Sequence, residues 1–255
     1  MKGVILAGGL GTRLLPLTRA TNKHLLPVYD RCMIHYAIDN LLRAGLDHIM
    51  VVTGGPHAGD FLRVLGNGKD VGVKHLEYGY QEGEGGIADA LRVAEDFAEG
   101  GPIMVVLGDN FTDADLAPSV RAFQGGSHLF LKKVPDPRDY GVAVFDPADP
   151  SRLVAIEEKP KQPKSDYAVT GFYIYDQRAF AYVRRSEPSA RGELEITTVN
   201  NFYLQDGLLS WSELEGMWLD CGSFDSLFEA NRVVAEARRK GEDRFCPWVR
   251  GVSTE

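Results

Sequence analysis

The residue types near the start of the chain point to phosphate chemistry. In the stretch VILAGGLGTRLLPLTRATNKHLLP, an apolar run stops at Gly8-Gly9-Leu10-Gly11-Thr12. Arg13 follows at once, and Lys23 stands alone further on. Backbone N–H groups in such a loop can cradle phosphate oxygens, and a guanidinium can fork onto two of them. A plain strand-to-loop turn explains the glycines equally well, and the basic residues tilt the reading. The two commonest phosphate loops fit poorly. No lysine follows the glycines as G-x-x-x-x-G-K-[ST] requires, and a G-x-G-x-x-G pattern begun at Gly9 meets Leu14 in place of its third glycine.

Two aspartates stand where apolar runs end, Asp109 in VVLGDN and Asp220 in MWLDCG. In open α/β sheets ligands sit at the carboxyl ends of strands, which would aim Asp109 at the glycine-loop site. Magnesium is usually held by one or two carboxylates together with substrate phosphates, which suits such a pair. A cap or turn is the commoner fate of a lone aspartate at such a place. Lys159 closes a strand in EEKPKQPKSDYAVTG, where Pro160 and Pro163 would stiffen its loop. A solvated charged edge is the competing reading. Asp113-Ala114-Asp115 forms a D-x-D pair of the kind that can hold a metal in sugar-transferring enzymes. Cys221 reads as a small buried residue. The six histidines form no H-E-x-x-H pattern.

These residues need elements to position them, and the first half alternates strand and helix. Strands are expected at Lys2 to Ala7, His48 to Val52, Val73 to Tyr78 and Ile103 to Leu107. Helices are expected at Met33 to Ala44, Asp60 to Leu65 and Ile87 to Phe97. Apolar strands in such alternation mean a mainly parallel sheet covered on both faces. The second half is richer in strands: Ser127 to Val134, Gly141 to Phe145, Leu153 to Glu157 and Ala168 to Tyr175. A helix is expected from near Glu193 and another from Phe224 to Lys240. No linker marks a second domain. The tail from Gly241 to Glu255 is polar apart from Phe245 and Trp248 and is expected to be loosely held.

The 255 residues carry a net charge of −8, so nucleic acid and anionic membrane are expected not to be partners. A phosphate site must then be a local basic pocket. A chain of this length buries roughly three quarters of its unfolded surface and needs no disulfide. Cys32, Cys221 and Cys246 are few and far apart, which fits a reducing cytoplasm. The apolar run Val4 to Ala7 is too short for a signal peptide. No stretch approaches the roughly 20 apolar residues of a membrane helix.

In combination these motifs are specific. GVILAGGLGTRL, NKHLLPVYD, GGIADAL, LGDN, DYGVAVFD, EEKPKQPKSDYAVTGFYIYD, PSARGELEITTVNNFYLQ and WLDCG occur in order from Met1 to about Lys240. The chain resembles the sugar-1-phosphate nucleotidylyltransferases, most closely their short thymidylyl-transferring members. The resemblance implies an α/β fold of the nucleotide-diphospho-sugar transferase type, Rossmann-like, with its mainly parallel sheet flanked by helices. The nucleotide-binding part would span about 1–125, a strand-rich sugar-binding part about 126–240, and a short tail 241–255.

The same resemblance implies dTTP and glucose 1-phosphate as substrates, Mg2+ as cofactor, and dTDP-glucose and pyrophosphate as products of direct displacement. Gly8, Gly11, Thr12, Arg13 and Lys23 would hold the triphosphate. Gln81 and Gly86 would read the pyrimidine. Asp109 and Asp220 would hold the metal, with Asp109 also on the nucleotide. Gly141, Glu158, Val169 and Trp218 would line the sugar site, and Lys159 would reach the sugar phosphate. Arg13, Lys23 and Lys159 would be the catalytic cations. A cytoplasmic homo-oligomer, dimer or tetramer, is also implied. The sequence departs from the family at His24, at Phe224 in GSFDSL and in GDNFTDAD. It also lacks the extra C-terminal helices of longer members, so weak or altered feedback inhibition by downstream dTDP-sugars is expected. Three rivals remain at this stage: a transferase for UTP or another hexose 1-phosphate, a metal-dependent glycosyltransferase using Asp113 and Asp115, and a non-catalytic sugar-nucleotide sensor.

Overall fold

The computed structural model describes residues 1–242, 244 and 245. In chain order the elements begin with β1 (Lys2–Ala7), β2 (Pro27–Val28), β3 (Arg31–Cys32) and α1 (Met33–Arg43). Next come β4 (His48–Gly54), α2 (Ala58–Leu65), β5 (His75–Gln81), α3 (Ile87–Arg92) and α4 (Glu95–Ala98). β6 (Ile103–Leu107), β7 (Asn110–Thr112), α5 (Ala117–Ala122), β8 (Ser127–Lys133) and β9 (Gly141–Asp146) follow. The rest are β10 (Asp149–Glu158), β11 (Tyr167–Tyr175), α6 (Arg178–Arg185), α7 (Ile196–Gln205), β12 (Leu209–Glu213), β13 (Trp218–Asp220) and α8 (Phe224–Arg239).

One nine-stranded sheet organises the molecule, in the order β10-β9-β11-β6-β1-β4-β5, with β8 paired to β11 and β12 to β8. β6, β1, β4 and β5 run parallel. β11 joins β6 antiparallel, and β8, β9 and β10 also pair antiparallel. The expected parallel sheet is therefore the first half of a mixed one. The turn between β9 and β10 is a tight hairpin, which forces antiparallel pairing, whereas helices cross over between the early strands.

The apolar strands are explained by burial on both faces. On β1, Val4 and Leu6 enter one core while Ile5 and Ala7 enter the other. β4 and β6 divide in the same way, with Met50, Val52, Ile103 and Val105 on the first face and Ile49, Val51, Met104 and Val106 on the second. α3, α6 and α7 cover the first face, with Leu91, Phe180 and Tyr203. α1 and α2 cover the second, with Ile34, Leu41 and Phe61. A third cluster joins Leu14, Tyr36, Phe111, Cys221 and Leu227 beneath the β7–β13 ladder. α8 starts at a capping box in which the Ser223 and Ser226 side chains each accept from the other's backbone N–H.

Several boundaries move. The strand expected from Val73 begins at His75. The helix expected at 87–97 breaks into α3 and α4, because Val93 and Ala94 donate to Ala90 and Leu91, a tighter turn than an α-helix allows. The helix expected near Glu193 starts at Ile196, since Glu195 is still extended. α6 and β12 were not expected. The described start of the tail differs from a loosely held one. Phe245 is buried in the third cluster, edge-on to Phe111 at 5.7 Å between ring centroids. Its carbonyl accepts from Arg31, and the Arg244 carbonyl accepts from Arg43. Cys246 and Trp248 lie outside the described residues.

Candidate active site

Where β1 ends, the glycine loop turns into a short 3-10 turn at Thr12–Leu14. Gly11 has φ 62°, and a Cβ there would stand 2.9 Å from side-chain carbons of both Lys23 and Thr18. The loop can therefore close onto Lys23 only with glycine at this position. Lys23 begins another 3-10 turn, and its Nζ lies 2.5 Å from Asp109 Oδ2. Asp109 follows β6, beside the end of β1, because Gly108 N–H continues the pairing with the Leu6 carbonyl.

The β7–β13 ladder brings the second aspartate alongside. Asp220 pairs with Asn110, and Cys221 N–H donates to the Asp109 carbonyl at 2.8 Å. Burial and the neighbouring Asp109 carboxylate push Asp220 up to about 7. Burial would also raise Asp109, but the Lys23 ammonium together with the hydrogen bonds from Lys23 and Asn110 holds this carboxyl well below the usual range. Burial would lower Lys23, yet Asp109 and then Asp220 leave it raised and charged. His24, buried beside Lys23, is pushed down to about 3 and stays neutral. Arg13 completes the group. Its Nη2 would sit 2.5 Å from a Cβ at Gly222, and Asp220 Oδ1 would be 3.2 Å from the same point.

At the other end, β9 begins at Gly141 opposite Glu158, the last residue of β10. Lys159 N–H donates to the Tyr140 carbonyl at 3.0 Å, and its backbone takes a left-handed φ of 43°. Its side chain is 45% exposed, and its ammonium is 3.9 Å from Glu158. Glu158 also accepts from Thr197 Oγ1 at 2.5 Å and from Arg191 at 3.2 Å. Val169 of β11 and Trp218 of β13 close the walls, with the Tyr140 ring 5.0 Å from the indole.

The expected site residues line one cavity of about 430 Å3. It brings together Gly8, Gly11, Thr12, Arg13, Lys23, Gln81, Gly86, Asp109, Gly141, Glu158, Lys159, Val169, Trp218 and Asp220. Gln81 differs from expectation in detail. Its Nε2 donates to the Gly86 carbonyl and to Asp89, so only Oε1 remains for a ligand. Asp113 and Asp115 lie elsewhere and accept from the backbone N–H groups of Met217 and Ala117. The D-x-D pair is thus structural, and the glycosyltransferase reading loses its metal site. Sequence reasoning passed over Asn110, Tyr140, Tyr173, Arg191, Glu195 and Thr197, which also line the cavity or brace it. Arg191, Glu195 and Thr197 all fall in PSARGELEITTV, a motif whose charges were not weighed one by one.

Comparison with known proteins bears on this arrangement. The family model described as nucleotidyl transferase matches residues 2–237. The chain belongs to this family. Family relatives include glucose-1-phosphate thymidylyltransferase of Neisseria gonorrhoeae, 44% identical over 240 residues, covering 92% of this chain and 82% of that protein. The enzyme of the same name from an Actinoplanes strain is 45% identical, covering 90% and 77%. Among solved structures, a Bacillus anthracis protein in complex with sucrose superposes with a TM-score of 0.85 at 46% identity, covering 91% of this chain and 94% of that one. The α/β architecture is thus that of the family, and the protein is an enzyme of the nucleotidyltransferase class. Among the described residues, no helix is long and apolar enough to cross a membrane.

Proposed function

We propose that this enzyme transfers the thymidylyl group of dTTP to glucose 1-phosphate, forming dTDP-glucose and pyrophosphate. One observation carries the reading. A single cavity joins a cationic glycine-loop end to an end walled by Gly141, Glu158, Val169 and Trp218, and two carboxylates line it as well. The names of the relatives agree with it.

Two anions must meet in this reaction, so neutralising and aligning them is the main task. A phosphate oxygen of glucose 1-phosphate attacks the α-phosphorus of dTTP. The new P–O bond forms as the bond to the β-phosphate breaks, and pyrophosphate leaves with the electron pair. No protein nucleophile is required. Lys159 draws in the attacking phosphate, while Arg13 and Lys23 balance the charge shed with pyrophosphate. Gln81 Oε1 accepts from the pyrimidine N3–H, a group that both thymine and uracil offer and adenine lacks.

The donor set fits a divalent cation. The Asp220 carboxylate accepts no hydrogen bond from the described residues, and burial together with Asp109 beside it raises its pKa. Among the described residues no third acidic, cysteine or histidine ligand joins them, which suits a hard cation completed by substrate phosphates. Asp109 and Asp220 would hold Mg2+, which supplies charge neutralisation on the triphosphate when bound.

The test is pyrophosphate release from each pair of nucleoside triphosphate and hexose 1-phosphate with Mg2+. We expect dTTP with glucose 1-phosphate to give the highest kcat/KM, UTP to work less well, and ATP and GTP to be poor. A preference for UTP or another hexose would move the enzyme within the family. Efficient use of a purine triphosphate, or no release with any pair, would reject the reading.

A further inference from the structure

We propose that Asn110 is a positioning residue that ties the metal-side carboxylate Asp109 to two walls of the sugar end. Asn110 begins β7 and is 3% exposed. Its Nδ2 donates to Asp109 Oδ1 at 3.0 Å. Its Oδ1 accepts twice, from the Trp218 indole N–H at 2.7 Å and from Gly171 N–H at 3.1 Å. One amide thus joins a carboxylate after β6, an aromatic wall on β13 and the backbone of β11.

The β11 contact is built in. The pairing of β11 with β8 shifts register between Val169 and Tyr173, and Gly171 lies within that irregular stretch. A Cβ at Gly171 would stand 2.5 Å from Asn110 Cγ and 2.6 Å from its Oδ1. The strand backbone therefore rests directly on the amide. Val169 and Tyr173, on either side of this contact, both line the cavity.

Asparagine alone among common residues meets these demands. Aspartate could accept from both N–H groups but would set a second negative charge against Asp109. Alanine or serine would leave buried donors unpaired. Glutamine adds a methylene where the contacts leave no room for one. The consequence is a fixed register between the carboxylate that faces the nucleotide and the walls that face the sugar. An error of about 1 Å in such alignment can cost about 10²-fold in rate.

This inference rests on the functional reading above, so its test carries a readout that does not depend on turnover. The indole N–H resonance of Trp218, assigned by its absence in Trp218→Phe, reports the bond to Asn110. In Asn110→Ala the resonance should move, and kcat with dTTP and glucose 1-phosphate should fall about 10²-fold. Asn110→Asp is isosteric and separates the two halves. It should keep the resonance near its wild-type position while raising the Mg2+ concentration for half-maximal rate about tenfold. Wild-type kinetics in both variants would overturn the proposal. So would an unmoved resonance in Asn110→Ala, or identical behaviour of the two variants in both readouts. A wild-type protein that makes no dTDP-glucose would reject the functional reading, while the resonance comparison would still decide the Asn110 linkage.

Discussion

Gly222→Ala should disable the glycine-loop cation without unfolding the protein. A Cβ at this position would lie 2.5 Å from Arg13 Nη2 and 3.2 Å from both Arg13 Cζ and Asp220 Oδ1. Ordinary contact begins near 3.4 Å, so the guanidinium must retreat by about 1 Å. Arg13 is the far end of a flexible side chain and can move, and the stability loss should stay below about 1 kcal/mol. The alignment of its fork on phosphate cannot survive that shift. A 1 Å error costs about 10²-fold, or about 2.7 kcal/mol of transition-state stabilisation, so kcat/KM for dTTP should fall by that factor. Gly59→Ala is the control, because a Cβ there meets nothing within 4 Å. A double-mutant cycle gives the decisive assay. If Gly222→Ala acts by displacing Arg13, it should be nearly silent in an Arg13→Ala background. Additive losses, or a dTTP kcat/KM within about threefold of wild type, would refute the steric argument.

Other expectations follow from the same geometry. Asp220→Asn should abolish most turnover, by about 10²-fold or more, at saturating Mg2+. Its stability carries a second signature. The folded pKa of Asp220 is raised above the usual carboxyl value, so its contribution is fully present below about pH 4 and is lost as pH rises through about 7. Metal-free wild type should thus lose melting temperature relative to Asp220→Asn across that window, and parallel curves would argue against the crowded carboxylate pair. Lys159→Ala should lower kcat about 10²-fold even at saturating glucose 1-phosphate, because a positioned cation acts on the transition state. If its half-exposed side chain is only a solvated edge, kinetics will barely change. Phe245→Ala should cost about 3 kcal/mol in denaturant unfolding, since it empties a buried aromatic site against Phe111. A loss under about 0.5 kcal/mol would restore the loosely held tail.

Much of this fold could be read from local pattern. The runs Val4–Ala7 in β1, Ile49–Val52 in β4 and Ile103–Leu107 in β6 are continuously apolar because both faces are covered, and the early helices carry plain helical spacing. α6 escaped notice because RAFAYVRR is short and ends in arginines, though Phe180 and Val183 are buried. β12 escaped because LSWSE mixes polar and apolar residues, and its partner β8 lies some eighty positions earlier. Phe245 sits in a polar stretch that says nothing of the pocket waiting beside Phe111.

The aspartates show most clearly where local reading stops. Asp109, Asp113, Asp115 and Asp220 all stand at or just beyond strand ends, and each carries a metal reading in the sequence. What separates them is the set of donors each carboxylate meets in space. Asp113 and Asp115 each accept from a backbone N–H, of Met217 and Ala117, which serves a cap or a turn and calls for no added cation. Asp109 takes an ammonium from Lys23 and an amide from Asn110. The Asp220 carboxylate accepts no hydrogen bond from the described residues and meets a second carboxylate, Asp109, beside its ladder partner Asn110. A buried-side negative charge without donors is costly unless something positive comes to it. That deficit supports the cation proposed at Asp220, and it exists only because β13, more than a hundred residues away in sequence, pairs with β7 at this register.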